Sequence, residues 1–156
     1  MVGAARFDLA QEHQWLSASD DDGAVVTFVG KVRSANLGSA VNALTLEHYP
    51  GMTEKALAEI VAQARGRWGL GRVVVVHRVG ELPAGEEIVL VGVSSGHRES
   101  AFLAAEFIMD LLKTRAPFWK REATAQGDRW VATREKDRLA LNAGDKKSLC
   151  YRLFYR

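Results

Sequence analysis

The chain has 156 residues, of which 47% are hydrophobic and 26% are charged, and its formal net charge is +2. These values are typical of a soluble globular domain with its own core, and the small net charge argues against a general nucleic-acid-binding protein. A single cysteine, Cys150, excludes an internal disulfide and a cysteine-based metal site. No apolar run is long enough to span a bilayer and no N-terminal signal peptide is recognisable, so we expect a cytoplasmic protein without membrane contact.

The N-terminal third of the chain predicts one weak helix followed by two strands. The helix falls within residues 1–22. Residues 23–33 are rich in valine and aromatic residues, which indicates a buried strand, and Gly30 within it suggests a bulge or a close backbone approach. A loop over 34–40 leads to residues 41–49, where apolar and polar side chains alternate as in a half-buried strand.

The middle of the chain predicts a second helix and two further strands. Apolar residues recur at helical spacing over 53–68. The valine-rich segment 72–79 is apolar throughout, so we expect a strand that is covered on both faces. Residues 80–85 indicate a turn, and 87–95 the next strand. A short strand is expected from residue 127 onward.

The stretch from Ser94 to Glu122 contains the element around which the rest is organised. Its helix is apolar nearly all round and has one narrow polar stripe, which is typical of a central, buried helix. Ala116 precedes Pro117 and is therefore disfavoured in helical geometry, so the helix should end near Arg115. Cationic residues stand at both ends of this helix, an arrangement that suits an anionic ligand.

The element order predicts a single α+β domain with helices packed on a sheet. We expect this domain to occupy residues 1–141. Residues 142–156 form an atypical C-terminal tail whose end, SLCYRLFYR, would be an apolar patch that promotes association if it were exposed. The tail is compatible with an edge strand, with a contact to a partner or with a segment unrelated to the fold.

Three groups of side chains are candidates for chemistry. His97 and Arg98 stand at a predicted helix N-terminus, where backbone N–H groups attract anions, although a solvated basic pair is an equally simple interpretation. Lys113 lies in the last helical turn, where it could be a proton-transfer group or nucleophile, or could simply pair with Asp110. The cluster Phe118-Trp119-Lys120-Arg121 suits a flat phosphorylated heterocycle, but its aromatic residues could equally be core residues.

Other charged residues carry weaker indications. Arg33 ends the first predicted strand, whereas His48 and His77 lie within strands and are expected to be structural. No His or carboxylate pair has the spacing of metal ligands, and no glycine-rich phosphate loop or nucleophile-elbow motif is present. We therefore expect no metal and no cofactor.

Five segments together resemble one known family, the large catalytic subunit of molybdopterin synthase. The resemblance covers roughly residues 7–135, and its most specific parts are the HR-SAF and LK-RAP-WK-E patterns. The segments are GAVVTFVGKVR (23–33), LEHYPGMTEKAL (46–57), RWGLGRVVVVHRVGEL (67–82), SSGHRESAF (94–102) and DLLKTRAPFWKRE (110–122).

The resemblance implies a fold, an assembly and a reaction. The fold would be an α/β-hammerhead with a small additional antiparallel β subdomain. The assembly would be a central homodimer within a heterotetramer, with a small ubiquitin-like sulfur-carrier subunit at each end. The reaction would transfer two sulfurs from a thiocarboxylate on the carrier's C-terminal glycine to cyclic pyranopterin monophosphate, forming the dithiolene of molybdopterin.

The resemblance also implies roles for individual residues. Lys113 would sit by the terminal carbonyl of the carrier, and Lys120 would contact the pterin or assist proton transfer. The remaining implied residues bind the substrate or line its pocket, and they are Arg33, His97, Arg98, Phe28, Phe118 and Trp119. Among them, the basic pair His97 and Arg98 is expected to bind the substrate phosphate, and in one arrangement this contact crosses the dimer interface.

Two other classes of function remain compatible with the residues alone. One is a non-catalytic module that binds a phosphorylated ligand or RNA through the same basic groups, which predicts strongly salt-dependent affinity. The low net charge and the absence of an RNA-binding aromatic motif count against it. The other is an acyl or phosphoryl transferase that uses a lysine, for which no supporting motif is present.

Overall fold

The structure is a computed structural model that describes residues 1–36 and 39–131. Within these ranges it contains three helices and nine strands. In chain order they are β1 (Val2–Gly3), α1 (Leu9–Leu16), β2 (Ala24–Lys31), β3 (Ala35–Asn36), β4 (Ser39–His48), α2 (Met52–Arg67), β5 (Val73–Arg78), β6 (Gly80–Pro83), β7 (Glu87–Ser95), α3 (Arg98–Arg115), β8 (Phe118–Thr124) and β9 (Gly127–Val131). The mixed α+β class predicted from the sequence is confirmed.

The first sheet has four strands in the order β1-β5-β7-β2. β1 runs parallel to β5, and the other neighbours are antiparallel. Val75 of β5 and Val91 and Val93 of β7 face α2 and α3 and form the main core with them. On the other face, Leu16 of α1 is fully buried against Gly92. Within the valine-rich strand β5, the adjacent residues Val75 and Val76 point to opposite faces and are both buried, so the expectation that this strand is covered on both faces is confirmed.

The second sheet is built on β4, which pairs with β3, β6 and β8, and β9 pairs with the far edge of β8. Every pair in this sheet is antiparallel. A smaller apolar cluster of Val32, Leu44, Leu46 and Leu82 forms its core. This cluster is separate from the main core, and Ile88 packs against both. The junction between the two sheets therefore lies between the two clusters.

Helix α3 ends as its sequence predicts. Its last residue is Arg115, and Ala116 adopts extended backbone angles (φ −72°, ψ 132°) before Pro117. Seven apolar side chains of α3 are buried, which agrees with a central position. They are Ala101, Ala104, Ala105, Phe107, Ile108, Leu111 and Leu112.

The local structure differs from the sequence prediction in three places. Residues 80–83 form strand β6 instead of a turn, because they pair with β4. Residues 35–36 and 39–40 pair as a short hairpin inside the predicted loop. The segment from Phe118 to Arg121, a candidate ligand-binding cluster for which the sequence predicted no strand, is the first half of strand β8. Each difference concerns a short strand that is stabilised by pairing with a neighbouring strand.

The bulge expected at Gly30 is confirmed, since the β2–β7 register shifts between Gly30 and Lys31. A Cβ at Gly30 would lie 2.6 Å from Cγ1 of Val89, so the close backbone approach is confirmed as well. In the part of the chain that the structure describes, no helix has both the length and the apolar composition needed to cross a bilayer. The expected domain limit at residue 141 and the tail 142–156, with Cys150, lie outside the described residues.

Candidate active site

A cleft of about 600 Å³ lies where the two sheets meet. The connections from β2 to β3, from β5 to β6, from β6 to β7 and from α3 to β8 all cross between the two sheets at this junction. Side chains near each passage contribute to the cleft wall. The volume is in the range of sites that bind small molecules, which is about 300–1,000 Å³.

Four cationic side chains from three parts of the chain line the cleft. Lys113 comes from the last turn of α3, Lys120 from β8, and Lys31 and Arg33 from the end of β2 and the residues just after it. Side chains two residues apart in a strand share a face, so Phe118, Lys120 and Glu122 all point into the cleft. Positive charge concentrated in a concave site favours a negatively charged ligand.

A buried hydrogen-bonded network forms one wall of the cleft. Glu122 is 6% exposed and accepts hydrogen bonds from Asn36 Nδ2 at 2.6 Å and from Arg129 Nη2 at 2.9 Å. Asn36 in turn accepts a hydrogen bond from Arg33 Nη2 at 3.3 Å. The carboxylate thus holds two neighbouring segments together and orients Arg33 through Asn36.

His77 forms part of the cleft floor and is a poor base in this environment. Its ring stacks on Phe118 and its Nδ1 donates to the carbonyl oxygen of Arg78. Burial lowers the pKa of His77 from 6.5 to about 4, and the nearby charges of Lys120 and His48 also lower it, against the opposing effect of the Arg78 carbonyl. The imidazole is therefore neutral at physiological pH.

Most of the pocket residues expected from the sequence come together in this cleft. Lys113, Lys120, Arg33, Phe28 and Phe118 all line it. Phe28 is 42% exposed, so it has apolar surface available for a ligand at the cleft mouth.

Three of the expected residues do not line the cleft of this chain. His97 is the N-cap of α3 and Arg98 is its first residue, and both are exposed. At a rise of about 1.5 Å per residue, Arg98 lies about 22 Å along the helix from Lys113. Trp119 points to the opposite face of β8 from Lys120 and is 49% exposed.

Among the residues that line the cleft, the sequence did not indicate Lys31, Asn36, His77 or Glu122 as members of the site. Glu122 would have followed from the alternation of β8 if β8 had been recognised as a strand. Lys31 lies at the register shift of β2, where alternation does not predict which face a side chain occupies. The contribution of His77 depends on its stacking with Phe118, 41 positions away in sequence, and no local pattern indicates that contact.

The arrangement can bind an anion and move protons. Lysine amines and an arginine can neutralise a phosphate or a developing negative charge, and a lysine amine that loses its proton can act as a base or nucleophile. Within residues 1–36 and 39–131, no three His, Cys, Asp or Glu side chains are grouped as a metal site requires.

Comparison with known proteins gives a consistent result. A family model described as MoaE protein matches residues 2–115. A curated relative from Salmonella typhimurium, named molybdopterin synthase catalytic subunit, is 71% identical over 137 residues, which are 88% of this chain and 91% of the relative.

Solved structures agree with this match. A molybdopterin biosynthesis MoaE protein from Burkholderia ambifaria has a TM-score of 0.77 and 48% identity, covering 91% of this chain and 94% of its own. A molybdopterin synthase structure from Staphylococcus aureus has a TM-score of 0.78 and 32% identity, covering 84% of this chain and 95% of its own. The similarity therefore extends over nearly the full length of each relative.

Proposed function

The chain belongs to the MoaE family, and from that premise we propose that the cleft between its two sheets is the active site. The activity is that of a molybdopterin synthase catalytic subunit, a sulfur-transferring enzyme of molybdenum cofactor biosynthesis. The observation that carries the proposal is that Lys113 and Lys120, from a helix and a strand of different layers, line the same cleft.

The proposed substrate is cyclic pyranopterin monophosphate, and the proposed sulfur donor is a thiocarboxylate at the C-terminal glycine of a small ubiquitin-like carrier subunit. A dithiolene contains two sulfurs, so two transfers are needed, and in each one water supplies the oxygen that converts the carrier's acyl group to a carboxylate. Two features of the cleft support this substrate. Its cations suit a cyclic phosphate, and the rings of Phe28 and Phe118 offer flat apolar surface for a pterin.

Each cation has a proposed role. Lys113, at the end of α3, contacts the terminal carbonyl of the carrier and stabilises negative charge there as the sulfur leaves. Lys120, further along the chain on β8, contacts the pterin and transfers protons. Arg33 is oriented through Asn36 and Glu122, and it binds an anionic part of the substrate.

The assembly proposed is a homodimer at the centre of a heterotetramer. In one protomer His97 and Arg98 stand at the opposite end of α3 from Lys113, so they cannot reach the substrate bound there. A two-fold dimer would allow this basic pair to bind the phosphate in the partner's cleft. Trp119, which points away from its own cleft, is also available to a neighbouring subunit.

The overall arrangement proposed is the α/β-hammerhead, in which the second sheet, β4 with β3, β6, β8 and β9, is the small antiparallel β subdomain. The antiparallel pairing of every neighbour in that sheet supports this description. The domain proposed occupies residues 1–141, followed by the tail.

The test of function is dithiolene formation from cyclic pyranopterin monophosphate and a thiocarboxylated carrier. We expect product that depends on the thiocarboxylate, and we expect Lys113→Ala and Lys120→Ala each to reduce turnover by about a hundredfold or more, since each removes a group that acts in charge stabilisation or proton transfer. Lys55→Ala, on the exposed face of α2, is the matched control and should retain full activity.

Normal turnover by the Lys113→Ala/Lys120→Ala double variant would refute the residue assignment. A protein that makes no product and does not bind the carrier, but binds RNA in a strongly salt-dependent manner, would instead support the binding-module alternative.

A further inference from the structure

The stacking of His77 on Phe118 joins the two sheets beside the cleft. His77 lies near the end of β5 in the first sheet, and Phe118 is the first residue of β8 in the second. The two ring centroids are 3.9 Å apart and the ring planes are inclined by 21°. The contact therefore attaches the beginning of β8 to the first sheet.

The ring of His77 is also held by a hydrogen bond. Its Nδ1 lies 2.9 Å from the carbonyl oxygen of Arg78. A carbonyl oxygen can only accept, so Nδ1 carries the proton and the tautomer is determined. His77 is only 7% exposed, so its imidazole has little room to turn. Phe118 thus stacks against a ring whose plane is fixed.

The position of Phe118 determines how the two lysines are placed relative to each other. Only Ala116 and Pro117 separate the end of α3 from the start of β8, and the N–H of Phe118 donates to the carbonyl of Ala116 at 2.9 Å. Lys113 precedes this short connection and Lys120 follows it. Because Phe118 and Lys120 share the inward face of β8, a shift of Phe118 moves Lys120 with it.

We propose that His77 is a positioning residue for Lys120. By holding Phe118, His77 sets the direction in which β8 enters the cleft, and this direction sets the separation of the Lys120 and Lys113 amines. The relevance to catalysis rests on the function proposed above, whereas the effect on the placement of Lys120 does not depend on it.

A neutral ring suits this task better than a charged one. Burial, with the charges of Lys120 from β8 and His48 from β4, keeps the pKa of His77 at about 4, so that the ring adds no positive charge to a cleft that already contains several cations. A lysine or arginine at this position would repel Lys120, and an aliphatic residue would lose the ring contact with Phe118.

The test measures the reactivity of Lys120 in the folded protein without any substrate. An amine-acylating reagent is applied over a range of pH, and the labelled peptides are quantified by mass spectrometry. In His77→Ala, which removes the stack, we expect faster labelling of Lys120 and a shifted pH of half-maximal labelling. His77→Phe keeps an aromatic ring against Phe118 and should lie between His77→Ala and the wild type.

Two controls separate positioning from general loss of stability. Lys55 on the exposed face of α2 is the internal control, and its labelling should not change. Val76→Ala truncates a buried neighbour on the same strand that does not line the cleft, and it should leave the labelling of Lys120 as in the wild type. A Val76→Ala variant with the same change in Lys120 as His77→Ala would overturn the proposal.

Phe118→Leu removes the same contact from its other side and provides the test if His77→Ala does not fold. We expect it to alter Lys120 labelling in the same direction, and the double variant His77→Ala/Phe118→Leu to add little to either single change, because both remove one interaction. Additive changes in the double variant, or unchanged Lys120 labelling in both single variants, would overturn the proposal.

Turnover gives an independent measurement. Misplacement of a reacting group by about 1 Å can reduce the rate by about a hundredfold, so His77→Ala should lower kcat by about ten- to a hundredfold and alter KM for the pterin much less.

If Lys120 labelling changes as expected but wild-type protein forms no dithiolene, His77 positions Lys120 and the proposed function fails. If the wild type is active and His77→Ala has normal kcat and labelling, the positioning proposal fails and the function stands.

Discussion

His77 shows how burial and neighbouring charge decide the chemistry of a single residue. In the sequence it is a polar residue in a valine-rich strand and is expected to be a hydrogen-bonded structural residue, and its hydrogen bond to the Arg78 carbonyl confirms this. The structure adds that the same ring forms part of the cleft floor and contacts Phe118. A structural histidine can therefore also influence the site.

The lowered pKa of His77 predicts how the free energy of unfolding depends on pH. The pKa is about 4 in the folded chain, against 6.5 for an unperturbed histidine such as that of the unfolded chain. Between these values the unfolded chain binds the proton and the folded chain does not, so the free energy of unfolding falls as the pH is lowered from about 6.5 to about 4. Integrated from pH 7 to pH 5, the loss is about 2 kcal/mol.

This loss is measured by urea unfolding of the wild type and of His77→Phe at several pH values. The carboxylates of Glu54 and Glu86, whose pKa values are lowered by hydrogen bonds, also lose stabilisation in acid, but they do so equally in both proteins. The wild type should therefore lose about 2 kcal/mol more than His77→Phe between pH 7 and pH 5. Parallel pH profiles for the two proteins would contradict the assignment of a buried, neutral imidazole.

At the scale of elements, strand β8 is the feature that builds the site. Its inward face carries Phe118, Lys120 and Glu122, and its outward face carries Trp119. The strand forms because it pairs with β4 on one side and with β9 on the other. Phe118 and Trp119 favour a strand, whereas Lys120, Glu122 and Ala123 do not, so the local pattern does not decide the conformation of this segment.

Helix α1 depends on a close approach that only glycine permits. A Cβ at Gly92 of β7 would lie 2.3 Å from Cδ1 of Leu16 and 2.8 Å from Cγ1 of Val74. Gly92→Ala should therefore destabilise the fold by about 1–3 kcal/mol through overpacking. Urea unfolding measures the change, and proteolysis near α1 should become faster.

Gly66→Ala is the matched control for this prediction. Gly66 lies in the last turn of α2, and a Cβ there would have no heavy atom within 4 Å. Alanine at an open helical position should stabilise by about 0.5–1 kcal/mol, because glycine loses more conformational entropy on folding. Equal effects of the two substitutions would show that the contact of α1 with Gly92 is not a tight one.

At the scale of the whole molecule, the two ends of α3 carry two separate groups of cations. The end near β8 contributes Lys113 to the cleft, whereas the beginning presents His97 and Arg98 to solvent about 22 Å away. Two possibilities follow. Either the ligand in the cleft does not contact His97 and Arg98, or a second protomer supplies this basic pair to the site.

Complementation between two differently impaired variants distinguishes these two possibilities. Arg98→Ala should raise KM for the pterin by about ten- to a hundredfold, the effect of losing a charge-assisted hydrogen bond. When Arg98→Ala is dissociated and reassembled with an equal amount of Lys113→Ala, half of the dimers are mixed and each mixed dimer regains one intact site. About a quarter of wild-type activity should then return at a pterin concentration well below the KM of Arg98→Ala.

Two controls accompany the mixing experiment. Lys113→Ala reassembled with Lys120→Ala should recover no activity, because both lysines line the same cleft of one protomer. Absence of recovery with Arg98→Ala, in mixtures shown by mass spectrometry to contain mixed dimers, would refute a site shared between protomers.

Much of the fold follows from local sequence patterns. The apolar periodicity of α3, its end before Pro117, the alternation in β4 and the register shift at Gly30 are consequences of side-chain spacing and backbone stereochemistry, which act over a few residues. The resemblance to the MoaE family likewise depends on short motifs that stand in the sequence itself. These features can be predicted from the order of the residues alone.

The cleft could not be predicted in the same way, and only the tertiary structure decided it. The residues Arg33, His77, Lys113 and Lys120 are brought together because several connections of the chain cross the junction between the sheets. Each passage depends on strand pairing between segments distant in sequence, and such pairing is governed by packing more than by intrinsic preference. The sequence by itself therefore determined which cations stand near the ends of the central helix, whereas tertiary pairing decided which of them share a site.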